Sequence, residues 1–237
     1  MSSAAPNMLS DEKAAAAADL LQRWLKRAIS PVASQWLDVE IGRQRDALDE
    51  RRLGMAIGLA GRRVGRETLS LSAADLAAAQ SLHKGWRPDT WSTDEAARVA
   101  LVLATWRGDN EERFATVIDR LCATGELTEH VACLKGFPVF PAPGRLLTRA
   151  RAAVRSSTQA VFEALACHNP YPADNFDQAA FNQMVVKCVF SGVPIETVVG
   201  LDGRRNDDLV GMMRDLVSER HAAGRPVPDA VHRWIGG

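Results

Sequence analysis

The stretch that most constrains this chain is Asp177-Gln-Ala-Ala-Phe-Asn-Gln-Met-Val-Val-Lys-Cys-Val-Phe-Ser-Gly192. The Asp177 carboxylate can accept from the free N–H groups of a first helical turn, and Gly192 stands where a left-handed C-cap is expected. Projected at about 100° per residue, Phe181, Val185, Cys188 and Val189 form one apolar stripe, while Met184, Val186 and Phe190 spread apolar surface around most of the remainder. Only Gln183 and Lys187, one turn apart, mark a polar strip. A helix this apolar must be covered on most sides by other elements. Asn182 falls between Val186 and Val189 on the wheel, so its amide is expected to be buried and to need partners.

Just upstream runs Glu163-Ala-Leu-Ala-Cys-His-Asn-Pro-Tyr-Pro172. Pro170 disfavours helix in the residue before it and has no N–H to donate, so a helix is expected to end at Asn169. Pro170 and Pro172 then read as an extended link carrying Tyr171, the single tyrosine of the chain. Two readings fit. In one, Asn182 bonds to the loop at 169–172, Tyr171 anchors packing, and the segment is a structural pin. In the other, Asn169, Tyr171, Asn182, Gln183 and Lys187 converge on a ligand. The first is the commoner fate of buried polar groups, most of which satisfy backbone. Glu163 and Lys187 are placed to form an ion pair between the two flanking helices.

The rest of the chain repeats one grammar. Ser10 reads as the cap of a helix through Leu20, Trp24 and Leu25, and Ser30-Pro31 restarts the chain with proline at the first helical position. Leu53 to Gly65 is apolar and interrupted by Gly54, Gly58, Gly61 and Gly65; each helical glycine costs about 1 kcal/mol against alanine, which points to a second backbone packed closely there. Arg62, Arg63 and Arg66 follow, either as an anion site or as cations favoured by the helix C-terminus. Ser72 with Asp75 resembles a capping box, and Trp86 and Trp91 flank a proline-broken packing loop. Thr93, Asp109 and Asn206 or Asp207 cap further helices, and Pro228 opens the last. Turns of a few residues join these helices, so each apolar stripe needs an antiparallel neighbour. There is no β alternation. The expected fold is all-α, antiparallel helix pairs packed as a compact bundle or short α-solenoid of about ten helices. Residues 1–9 are expected as a disordered N-terminus and 10–237 as one domain, with a sub-boundary at 137–144, where Pro138, Pro141 and Pro143 break the chain.

Composition narrows the function. Lys and Arg number 29 against 29 Asp and Glu, so no global field attracts nucleic acid. No signal peptide and no apolar run of roughly 20 residues is present, so a cytoplasmic protein without a transmembrane segment is expected. The four cysteines, Cys122, Cys133, Cys167 and Cys188, lie in apolar helical patterns and read as reduced core thiols. His130 and Cys133 with Cys167 and His168 match no standard zinc spacing, and no metal or cofactor is expected. No glycine-rich phosphate loop follows a strand, because no strand is expected.

The segments 163–172 and Phe181-Asn-Gln-Met-Val-Val-Lys187, with Gly192-Val-Pro, Gly200-Leu-Asp202 and Glu219-Arg-His-Ala-Ala-Gly-Arg-Pro226, resemble the EboA family. Arg62-Arg-Val-Gly65 and Leu71-Ser-Ala-Ala-Asp-Leu76 fit the same pattern, and the resemblance is strongest from 156 to 226. It implies a place in gene clusters that also encode a UbiA-like prenyltransferase, a TatD-like metal hydrolase, and dehydroquinate-synthase-like and sugar-isomerase-like proteins. Such clusters are linked to the movement of secondary metabolites or their precursors towards the periplasm. The resemblance carries over no catalytic residue. It implies a non-enzymatic component binding a small precursor or cluster proteins, including the prenyltransferase, which would hold it at the inner membrane. An enzyme acting on a small precursor and a structural partner for a neighbouring enzyme or membrane protein remain as alternatives. The expected ligand-binding set is Asn169, Tyr171, Asn182, Gln183 and Lys187, with Glu163, Arg62 and Arg63 in reach.

Overall fold

The computed structural model describes residues 5–108 and 110–236, with side chains from residue 11 onward. Residues 1–4, and Asp109 with its expected cap, lie outside the described residues. Thirteen α-helices and several 3-10 turns are described, and among the described residues the only β pairing is an isolated bridge between Thr68 and Ser92. The chain is all-α. It divides into two compact units, Met1–Ala150 and Arg151–Gly237.

The first unit carries α1 (Ala5–Ala28), α2 (Pro31–Asp46), α3 (Glu50–Val64), α4 (Ala73–Leu82), α5 (Thr93–Leu103), α6 (Glu111–Thr124) and α7 (Leu127–Lys135). Helix α8 (Leu147–Arg155) begins in this unit and ends in the second. Ser10 lies inside α1 rather than capping it, whereas Pro31 opens α2 as expected, behind a Ser30 cap whose side chain accepts from the Ala33 N–H at 3.2 Å. Ser72 and Asp75 form the reciprocal capping box of α4. The cap of α5 is Ser92 with Glu95, one residue before the expected Thr93. Asn110 caps α6, its side chain accepting from the Arg113 N–H at 2.8 Å.

Helix α5 is the enclosed element of this unit. It packs against α1, α2, α3 and α7, and every residue except Glu95 is buried. Ala96, Ala97 and Ala100 let the neighbours approach, while Arg98 and Asp94 are buried as a pair at 2.5 Å. Arg98 also donates from Nε to the Ile57 carbonyl of α3, at 3.2 Å. Trp24 meets Trp86 tilted at 5.6 Å and Trp86 meets Trp91 edge-on at 5.9 Å between ring centroids, so the indoles of the proline loop pack into the core. The glycines of α3 are not where another backbone approaches. A Cβ at Gly54 would meet nothing within 4 Å, and those at Gly58 and Gly61 would meet side chains of Glu129, Arg66 and Asp94. Gly54 and Gly58 are exposed; Gly65 is a positive-φ C-cap, at +86°.

The second unit holds α9 (Gln159–Ala166), α10 (Tyr171–Asn175), α11 (Gln178–Ser191), α12 (Asp207–Ala222) and α13 (Asp229–Gly236). Helix α11 packs between α9 and α12. Its ends follow the sequence: Asp177 accepts from the Ala180 N–H at 2.8 Å, and Gly192 takes φ 76°, ψ 17°. The link at 170–172 is not extended. Pro170 sits at φ −74°, ψ −14°, and α10 begins at Tyr171, because a proline at the first turn forfeits no intrahelical hydrogen bond. Nor is α11 covered all round: Phe181, Asn182, Met184, Val185, Cys188 and Val189 are buried, but Phe190 is 63 % exposed.

Candidate functional site

The expected site residues separate into four environments. Asn169 and Tyr171 are buried, at 3 % and 1 % exposure. Asn169 donates from Nδ2 to the Ala164 carbonyl at 3.0 Å and accepts at Oδ1 from the Tyr171 N–H at 3.0 Å, so it closes α9 and opens α10. Just before it, His168 takes a left-handed φ of 54°, fixed by its N–H donating to the Thr197 carbonyl at 2.7 Å. The Tyr171 ring meets Phe176 edge-on at 6.5 Å, and burial pushes its phenol above the ordinary tyrosine range.

Asn182 is buried as the wheel predicts, but its partners are not the 169–172 loop. Its Oδ1 accepts from Gln178 Nε2 at 2.9 Å and from Asn206 Nδ2 at 3.1 Å, while its Nδ2 donates to Asn206 Oδ1 at 3.1 Å. Asn206 is the N-cap of α12, accepting from the Leu209 N–H at 2.9 Å. Arg204 closes the same corner, donating to the Ala173 and Phe176 carbonyls at the end of α10 and stacking over Phe181 at 4.6 Å. Nothing in the sequence pattern singled Arg204 out, since its partners are carbonyls some thirty residues away.

Gln183 and Lys187 line a groove of about 850 Å³ in the second unit. Its walls come from the end of α8, the start of α9 and the outer side of α11: Arg151, Val154, Arg155, Phe162, Met184 and Phe190, with Asp177 at one end. Lys187 does not pair with Glu163, which accepts from Gln159 Nε2 at 2.6 Å. Its ammonium donates instead to the Val154 and Ser156 carbonyls, at 2.8 and 2.7 Å, and lies 4.4 Å from the Phe162 ring centre. It thereby satisfies carbonyls that the end of α8 leaves open. Burial pulls the Lys187 ammonium below its ordinary value. Arg151 pairs with Asp177, whereas Arg155 is exposed and, among the described residues, enters no hydrogen bond or ion pair. The i, i+4 spacing of Arg151 and Arg155 puts both on one face of α8, but that this face meets the Gln183/Lys187 strip is visible only in the structure.

Arg62 and Arg63 belong to the first unit. Both are exposed in the last turn of α3, where the helix dipole favours cations, and Arg63 lies 6.0 Å from the Trp36 ring centre. Among the described residues no group of three or more His, Cys, Asp or Glu side chains is arranged to hold a metal ion, and no helix is long and apolar enough to cross a membrane.

Fold and site together define an all-α protein with a basic, apolar-floored groove beside helix α11. The model of the EboA family, described as metabolite traffic protein EboA, matches residues 17–236. The chain belongs to that family, and its role lies in metabolite traffic. No curated protein and no solved structure matches it.

Proposed function

We propose that the protein is a non-enzymatic carrier or adaptor that binds a small acidic metabolite in the groove of the second unit. One observation carries this reading: the cations Arg151, Arg155 and Lys187 share a groove of about 850 Å³ with Val154, Phe162, Met184 and Phe190. Apolar walls with a few placed polar groups suit a drug-sized ligand, and the cations select an anionic end. Arg155 is the group free to meet that anion, since Lys187 and Arg151 are already engaged. Binding rather than conversion is supported by the lining. Among the described residues it holds no cysteine or histidine, and its one carboxylate, Asp177, is occupied by Arg151 and the Ala180 N–H.

Anilinonaphthalene sulfonate, an aromatic body bearing one sulfonate, is the probe. The wild-type protein is expected to enhance its fluorescence saturably. Arg155→Gln should weaken binding by about tenfold, the worth of one charge-assisted hydrogen bond, with an unchanged melting curve. Equal binding by Arg155→Gln and by Phe190→Ser would overturn the site. The reading also keeps a cytoplasmic place of action, with contact to the membrane through a partner such as the UbiA-like prenyltransferase. A pull-down of that protein by the purified chain tests this part separately.

A further inference from the structure

The two cysteines of the first unit touch each other in its core. Cys122 lies late in α6 and Cys133 late in α7, and the short turn at Gly125 and Glu126 folds the two helices against each other. Both side chains are buried, and their Sγ atoms are 3.5 Å apart. A disulfide needs about 2.0 Å between sulfurs, so the two must approach by about 1.5 Å to bond. Next to the pair is His130, whose Nε2 is buried without a hydrogen-bond partner among the described residues. Elsewhere burial pushes the Cys167 thiol up, and pushes Cys188 up to about 12.

We propose that Cys122 and Cys133 are a modification site, a dithiol that a small hydroperoxide oxidises to a disulfide, with Cys122 attacking and Cys133 resolving. The order follows from the surroundings. As a thiolate Cys122 accepts from the Cys133 thiol, and His130 and Arg149 favour its negative charge, so its thiol is held below the ordinary cysteine value. Cys133 is pushed the other way by the same contact and by burial. The thiolate is the reactive form, so the nucleophile is Cys122. Its sulfur attacks one oxygen of hydrogen peroxide, the O–O bond breaks, and the leaving hydroxide takes up the proton Cys122 had released, as water. Cys122 is now a sulfenic acid, oxidised by two electrons, and the peroxide is reduced. The Cys133 sulfur then attacks it; the S–S bond forms, the S–O bond breaks, and a second water leaves with the Cys133 proton. Two thiols and one peroxide give one disulfide and two waters.

The test uses the full chain. Both cysteines fall in one tryptic peptide, 121–135, whereas Cys167 and Cys188 fall in others. After brief exposure of the reduced protein to hydrogen peroxide, then denaturation and alkylation, peptide 121–135 is expected unalkylated and lighter by two hydrogens, and dithiothreitol should restore it. The Cys167 and Cys188 peptides should remain fully alkylated. Cys133→Ser should accumulate a dimedone adduct on Cys122, and Cys122→Ser should leave Cys133 reduced. The wild-type measurement stands even if a variant misfolds. Peptide 121–135 staying reduced, or oxidising no faster than Cys188, would overturn the proposal, as would a bridge joining either cysteine to Cys167 or Cys188.

Discussion

Asn182 and Asn206 exchange hydrogen bonds in both directions, each at 3.1 Å, and each has a further partner. In Asn182→Leu the Asn206 and Gln178 amides lose a partner inside the second unit, which costs about 1–3 kcal/mol. A urea midpoint equal to wild type would show the pair to be solvated. Lys187→Met is expected to lower stability as well, because the Val154 and Ser156 carbonyls lose a charged donor, whereas Arg155→Gln should not. Asp75 supplies the clearest pH dependence. Arg27 above all, then Ser72 and Trp24, hold its carboxyl well below the usual carboxylate range. The lowered folded value means that its contribution is complete above the unfolded carboxylate value, about 3.9, and lost as pH falls through the folded one. The stability difference between wild type and Asp75→Asn should therefore be constant from pH 7 to about 5 and close only in stronger acid. A difference that shrinks already between pH 7 and 6 would assign the effect to another group.

At the scale of the helix, two glycines make opposite predictions from the same substitution. Gly192 ends α11 at φ 76°, with its own N–H and that of Val193 donating to the Val189 and Cys188 carbonyls. A Cβ there meets nothing within 4 Å, so Gly192→Ala costs only the left-handed conformation, about 1 kcal/mol. Gly211 lies inside α12, also with open space around its Cβ position, and Gly211→Ala should stabilise by about 0.5–1 kcal/mol. Chemical denaturation of both variants checks the signs together. Caps of this kind were legible in the sequence because they are local: Ser30, Ser72 with Asp75, Asp177, Gly192 and Asn206 act within one turn of themselves. The start of α10 was not, because the proline pair suits an extended link and a first helical turn alike, and Arg204 decides between them from thirty residues away. The groove was half legible. The Gln183/Lys187 strip is a wheel feature, but the opposing Arg155 depends on how the end of α8 meets α11, which no local pattern encodes. The α3 glycines misled for the same reason, since propensity records a cost and not what the cost is for.

Across the whole chain, burial is uneven and the slow exchange of amide hydrogens should follow it. Residues 96–103 of α5 are all buried and surrounded by four helices, whereas α13 buries only Val231. Hydrogen exchange read by mass spectrometry is expected to leave 96–103 protected longest and to open 229–236 first. Comparable rates in the two segments would mean that α5 is not the last part of the first unit to open. The sequence points to 181–190 as a helix covered on most sides, because apolar residues occupy most of its wheel. Helix α5, built on alanine and valine with a neutralised Asp94–Arg98 pair, is buried by close approach instead. The reciprocal amides impose an order of assembly on the growing chain. When Asn182 leaves the ribosome its partner is 24 residues behind it in the chain and has not yet emerged, so α11 reaches the nascent protein with only Gln178, one turn away, to meet the Asn182 amide oxygen. Its docking stays provisional until Asn206 emerges, and a chain stopped at residue 205 would keep α11 while leaving the buried Asn182 Nδ2 without its acceptor.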